Sequence, residues 1–220
     1  MRLYLDGQEE KIEFKPECSL GQMIDQICSQ KIPGDRVITQ IRVNGEELLE
    51  DENGLYPDIP GDVVDSLELK TGLAEEMAKQ GLSHARDYLE KLNPGIEKTA
   101  ELFRTGADAK ALDQYGRCMD GINWFIQILE GARQVIGLDY NIIHFNKVSV
   151  HAYLENLHEN IREMLKVQCD EDWVMLSDLL EYEMLPMMDG WKEILPLIEE
   201  AARDRKPGAE RVEATEQSQR

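Results

Sequence analysis

Glu155 and His158 stand three residues apart, with His151 one helical turn before Glu155. Di-iron carboxylate bundles hold metal with two Glu-x-x-His pairs plus a glutamate from each of two further helices. This chain has 4 histidines and one such pair. At about 100° per residue, Glu155 falls roughly opposite the stripe of Leu154, Leu157 and Ile161, toward water, and His158 sits at the boundary. The pair reads as part of a solvated helix face, and a metal-binding or di-iron-like helical enzyme is the alternative it would support. Further along, Asp178, Glu181 and Glu183 cluster in the run Ser177 to Pro186. Asp178 and Glu181 are neighbours on a helix surface. Paired carboxylates can do acid–base work or attract a cation, but no histidine or nucleophile lies near them in sequence. A charged face open to solvent or to a basic partner is the reading they favour.

The same stretch carries Met175, Leu179, Leu185 and Met188 beside its main apolar stripe. It is either a central helix or one that offers a second apolar strip to a partner, for which methionine is well suited. The candidate partner-binding residues are therefore Met175, Asp178, Glu181, Tyr182 and Met188, and no catalytic residue or cofactor is assigned. There is no phosphate-cradling glycine motif, G-K-[ST] element or nucleophile elbow. None of the four cysteines, Cys18, Cys28, Cys118 and Cys169, stands at C-x-x-C spacing, so free thiols in a reducing compartment are expected.

Charge sets the class of partner. The 24 Lys and Arg against 44 Asp and Glu leave a net −20. That field repels phosphate backbones and anionic lipid, so neither nucleic acid nor a membrane surface is expected as a partner. It suits a basic or amphipathic protein partner, or simply solubility. No apolar run approaches the roughly 20 residues of a membrane span, and no leader pattern opens the sequence. A cytoplasmic protein is expected.

The elements that must position these residues change character near residue 72. Before it, apolar residues alternate: Leu3 and Leu5, then Ile12 and Phe14 in 11–15, with Asp6-Gly7 as a hairpin turn between them. Ser19 can cap a helix carrying Leu20, Met23, Ile24 and Ile27 on one face. A third strand over 37–43 leaves through Asn44-Gly45 into a short segment, 46–49, and a last strand alternates over 66–70 after a loop at 53–57. The order of strand, strand, helix, strand, short strand, strand, over about residues 1–71, resembles the ubiquitin-like β-grasp fold. Modifiers and sulfur carriers of that fold act through a free C-terminal Gly-Gly. Here Lys70-Thr71-Gly72-Leu73 runs on into a helix, so conjugation is not expected. The resemblance also implies an apolar patch on the open sheet face. The residues facing out are instead Arg2, Tyr4, Lys11, Glu13, Lys15, Gln40, Arg42, Glu68 and Lys70, a face expected to sit in solvent.

Beyond residue 72 the period is helical. The pattern predicts helices over 74–92 and 95–104, separated by a break at Asn93-Pro94-Gly95. A third is expected over 108–136, with Leu112, Tyr115, Met119, Ile122, Phe125, Ile126, Leu129 and Ile136 as its stripe. A connection over 138–147 should lead to a fourth helix capped by Ser149. A fifth, over 170–202, should be kinked or broken at Pro186 and Pro196, with Met184, Met187 and Trp191 on its main stripe. The expected organisation is a ubiquitin-like α+β domain (1–72), an acidic all-α antiparallel bundle (73–203) and a disordered tail (204–220). The expected function is non-catalytic: an adaptor or small chaperone that binds a protein through its helices, with a structural homo-oligomer as a further alternative.

Overall fold

Asp6 and Gly7 both take positive φ, 50° and 81°, which is the backbone a two-residue hairpin needs. They join β1 (Arg2–Leu5) to β2 (Gln8–Glu10). The computed structural model describes residues 1–15, 17–49 and 59–204. The protein is mixed α+β, about 66% helical, with a small N-terminal sheet followed by helices. It divides into a first unit, Met1–Met77, and a second that begins at Ala78.

The second strand is shorter and earlier than the 11–15 expected. The ladder between β1 and β2 ends at the pair Leu3 and Glu10. Ile12 and Phe14 still pack, half-buried, on the core of the first unit, so the alternation in sequence reported burial rather than pairing.

Ser19 caps α1 (Leu20–Lys31) in a reciprocal capping box with Gln22. Leu20 and Ile27 of this helix meet Leu3, Ile41, Leu67 and Leu69 of the sheet. β3 (Arg36–Val43) turns through Asn44-Gly45, both at positive φ, into β4 (Glu46–Glu47). β5 (Ser66–Leu73) runs three residues beyond the expected end, because Arg36 of β3 pairs with Leu73. The sheet order is β2-β1-β5-β3-β4, with β1 and β5 parallel and the other neighbours antiparallel. The loop expected at 53–57 lies outside the described residues.

One polar cluster ties the hairpin to β5. The Asp6 carboxylate accepts from the Thr71 amide at 2.7 Å and from the Thr71 hydroxyl at 2.7 Å, and the Arg36 guanidinium lies 3.7 Å away. The two Thr71 hydrogen bonds, helped by Arg36, hold the Asp6 pKa below 3.8. A lowered acid stabilises the folded state at pH above its ordinary value, and that contribution is lost as pH falls through the lower folded value. The urea midpoint of the native chain, followed by NMR signals of Leu67 and Leu69, is therefore expected to fall as pH drops below 3.8. Asp6→Asn should flatten that part of the profile and lower stability at neutral pH.

The helices are α2 (Ala74–Thr105), α3 (Ala109–Ala132), α4 (Val150–Cys169), α5 (Trp173–Leu179) and α6 (Leu185–Asp204). Two π-helical segments interrupt them, Arg133–Gly137 after α3 and Leu180–Met184 between α5 and α6. The break expected at Asn93-Pro94-Gly95 is absent: α2 continues through it. Leu92, Asn93 and Ile96 are buried around the proline, and the Asn93 amide donates to Asp189 at 2.7 Å. Pro94 itself is exposed, so solvent can serve the carbonyl that loses its amide partner. Packing on one side of the helix outweighs the missing bond on the other.

α2 runs antiparallel to α3: Phe103 meets Tyr115 edge-on at 5.8 Å and Tyr88 meets Trp124 at 4.8 Å. It also runs antiparallel to α6, where Arg86 faces Glu199 at 3.6 Å while Asn93 holds Asp189. Trp191 of α6 is fully buried, with Phe125 5.5 Å and Tyr153 6.3 Å away. Asp108 and Ser149 cap α3 and α4 through their side chains. The inner face of α3 is Ala111, Tyr115, Cys118, Ile122, Phe125, Leu129 and Ala132. Leu112, expected on that stripe, is 41% exposed. Gly121 also turns inward, where an added Cβ would overlap the Tyr88 hydroxyl and press on Leu92 of α2.

The second unit is not all helix. Within the expected connection, β6 (His144–Phe145) and β7 (Val148–Ser149) form a hairpin across Asn146-Lys147, both at positive φ. Tyr140 anchors this stretch by donating from its buried hydroxyl to the Leu129 carbonyl at 2.7 Å. Of the tail expected over 204–220, Asp204 closes α6 and the rest lies outside the described residues. Among the described residues, no helix is long and apolar enough to cross a membrane.

Candidate partner-binding surface

α5 is fixed from three directions. The Asp172 carboxylate caps it by accepting from the Met175 amide at 3.0 Å. Trp173 stacks on Phe103 of α2, with ring centroids 5.5 Å apart and planes 9° from parallel. The buried Ser177 hydroxyl donates to the Ala100 carbonyl at 2.8 Å. With Leu176, Ser177 and Leu179 turned inward, the opposite side must face out. Val174 is 70% exposed, Met175 40% and Tyr182 62%, and Asp178 is exposed among them.

The π-helical segment completes this face. Leu180 and Met184 enter the core, while half-buried Glu181 forms an ion pair with Arg104 at the end of α2. The same guanidinium donates to the Tyr182 hydroxyl at 3.3 Å and lies 6.0 Å from that ring's centroid. Burial works against the Arg104 charge, but the Tyr182 hydrogen bond and the Glu181 and Asp178 carboxylates outweigh it and raise its pKa. Arg104 thus ties Glu181 to Tyr182, with exposed Asp178 beside them. It lies 77 residues before Glu181 in sequence, at the end of a helix with no local signal, so spacing alone could not have found it.

Met188 does not belong to this surface. It is fully buried, while Met187, expected on the inner stripe, is half-buried. A π turn takes in about one more residue than an α turn. Counted from Leu176 at about 100° per residue, an unbroken α-helix would turn Met187 inward; with the wide turn between them, the inward position is Met188. Four of the five residues singled out come together, and the fifth is core.

The other candidates stay apart. Glu155 and His151 are exposed and His158 is half-buried. Among the described residues, no group of three or more His, Cys, Asp or Glu side chains is placed to hold a metal ion. Burial raises the thiol pKa of Cys118, which sits 3.3 Å from the Thr99 hydroxyl. It also raises that of Cys28. Neither thiol is activated for nucleophilic work.

A family model described as a domain of unknown function, DUF8042, matches residues 80–194, just over half of the chain. The chain belongs to this family. No curated protein and no solved structure matches it. The DUF8042 segment opens inside α2 and closes inside α6, so it contains Arg104 and every residue from Val174 to Tyr182. The five-stranded sheet lies outside it.

Proposed function

We propose that this chain is a non-catalytic protein-interaction module, an adaptor or small chaperone, that holds a protein partner against Val174, Met175, Asp178, Glu181 and Tyr182. The observation that carries this reading is the exposure of three large apolar side chains, at 70%, 40% and 62%, on one short stretch beside two carboxylates. Apolar residues exposed together and rimmed by charge are the usual mark of a contact surface. The partner would place an apolar side chain among Val174, Met175 and Tyr182 and a basic group toward Asp178. The net −20 of the chain would speed such an encounter.

In this proposal the DUF8042 part is an antiparallel helical bundle, supported by the opposed pairings of α2 with α3 and with α6. The N-terminal unit is a β-grasp of ubiquitin-like pattern. Its strand order, with a parallel central pair and a single helix, supports that assignment, and it would act as a docking or stabilising unit.

Val174→Lys and Tyr182→Lys test the reading. Both sites are exposed, so each variant should keep its far-UV CD and melt within a few degrees of the parent. A partner that co-purifies stoichiometrically with the parent from its native cell should be absent from both variants. Retention of that partner by both variants would sink the proposal. Stoichiometric iron, manganese or zinc in protein purified without added metal would favour a metal site at Glu155 and His158 instead. A defined higher mass in solution that both variants lose would favour a homo-oligomer.

A further inference from the structure

Val174, Asp178 and Tyr182 follow one another in steps of four and are all exposed, so they form one ridge along α5 and the wide turn after it. Exposed Met175 stands beside Val174. The ridge is apolar at both ends and acidic in its middle, and it covers roughly 12 Å of helix. Its surroundings share one sign. Residues 159–183, from the end of α4 through the wide turn, hold eight carboxylates against two cations, Arg162 and Lys166. The last two turns of α2, packed on α5 through Phe103 and Trp173, add Lys98, Glu101 and Arg104. Of these, Arg104 is already engaged by Glu181 and Tyr182. Beside the ridge, the exposed carboxylates of Asp170, Glu171 and Asp178 make no ion pair among the described residues. The face is therefore negative even with every cation of the neighbouring helix ends counted.

Resting on the reading that this surface holds a protein partner, we propose that what it holds is a cationic amphipathic helix of that partner. The ridge decides for a helix. An extended segment needs a free sheet edge to take up its amides and carbonyls, and a helical ridge spends its own backbone groups on its own bonds. A helix arrives with its backbone already paired, so only side chains have to match. The matching face alternates as the ridge does: an apolar residue beside Val174 and Met175, a lysine or arginine over Asp178, and an apolar residue on the Tyr182 ring. Further basic residues on its flank would face Asp170 and Glu171. The sign of the face works against an acidic segment, a nucleic acid or an anionic lipid surface. It also works against a second copy of this chain, whose net charge is −20.

Selection of random display peptides five turns long, about 18 residues, on the full chain, followed by titration of the synthesised winners, tests this. Winners should be basic, repeat apolar, basic, apolar at three- to four-residue steps, and gain helical CD on binding. Their binding should weaken as salt rises. Val174→Lys, Tyr182→Lys and Asp178→Lys should each weaken it at least about tenfold, and Asp178→Asn by less. Asp120→Lys, the same change in net charge at an exposed site on α3, should leave it within about twofold. All these sites are exposed, and an unchanged CD spectrum confirms that the variants fold. Neutral, acidic or extended winners that still need Val174 and Tyr182 would overturn the cationic helix and leave the surface itself standing. Asp120→Lys acting as strongly as Asp178→Lys would also overturn it, by assigning the attraction to net charge alone. Winners indifferent to Val174→Lys and Tyr182→Lys, or no winners, would overturn the helix and count against the surface as well.

Discussion

Met188→Lys will unfold the helical part of the chain rather than abolish binding on a native fold. The side chain is fully buried on α6, in the same core as Met184, Trp191 and Leu195. Lysine there would bury an ammonium with no partner, at a cost of about 4 kcal/mol or more, a large share of the roughly 5–15 kcal/mol that holds an ordinary domain. Met188→Leu is the control: close in volume and equally apolar, it should cost less than about 1.5 kcal/mol. Urea denaturation followed by Trp fluorescence distinguishes the two, since all three tryptophans lie in the second unit. A Met188→Lys chain with a native midpoint would mean that the site is not core.

Gly61→Ala is the corresponding change for the first unit. Gly61 opens a short 3-10 turn before β5 and donates from its amide to the Cys18 carbonyl at 3.0 Å. A Cβ at this position would overlap both the Cys18 carbonyl oxygen and the end of the Met23 side chain. Met23 can move; the carbonyl cannot move without surrendering its hydrogen bond and disturbing the start of α1. Overpacking of this kind costs about 1–3 kcal/mol. NMR of the variant should show line broadening or loss of signals from Leu20, Leu67 and Leu69, with those of Phe125 and Trp191 unchanged. A native spectrum with an unchanged melting midpoint would count against the tight approach.

Local chemistry was legible in the sequence. Ser19 and Ser149 each announced a helix start, and Asp6-Gly7 and Asn44-Gly45 each announced a turn, because a cap or a positive-φ pair acts within a few residues of itself. Features decided at long range were not. Pro94 suggested a break, but the packing of Leu92, Asn93 and Ile96 against distant helices overrides it. Residues 11–15 alternate like a strand, yet Ile12 and Phe14 pack on the core without joining the β1–β2 ladder. At the candidate surface, Met175, Asp178 and Tyr182 were found from type and spacing, whereas Arg104 was invisible because only the antiparallel pairing of α2 with the last helical run brings it there. Met188 was misplaced because the wide turn at Leu180–Met184 shifts the inward positions that follow it.

That wide turn left a trace in the sequence that could have been counted. The fully inward residues Leu176, Leu180, Met184 and Met188 follow one another in steps of four, whereas an α-helix averages about 3.6. Three such steps would rotate an ideal α-helical stripe by roughly 120° off its line, and the wide turn at Leu180–Met184 absorbs most of that drift. The consequence is a form of gearing. Which side of α5 meets solvent is decided by how many residues occupy Leu180–Met184, not by Val174 or Asp178 themselves. Removing Glu183 from that segment would leave every contact-making side chain in the sequence and still turn Val174 and Asp178 about a quarter revolution relative to α6.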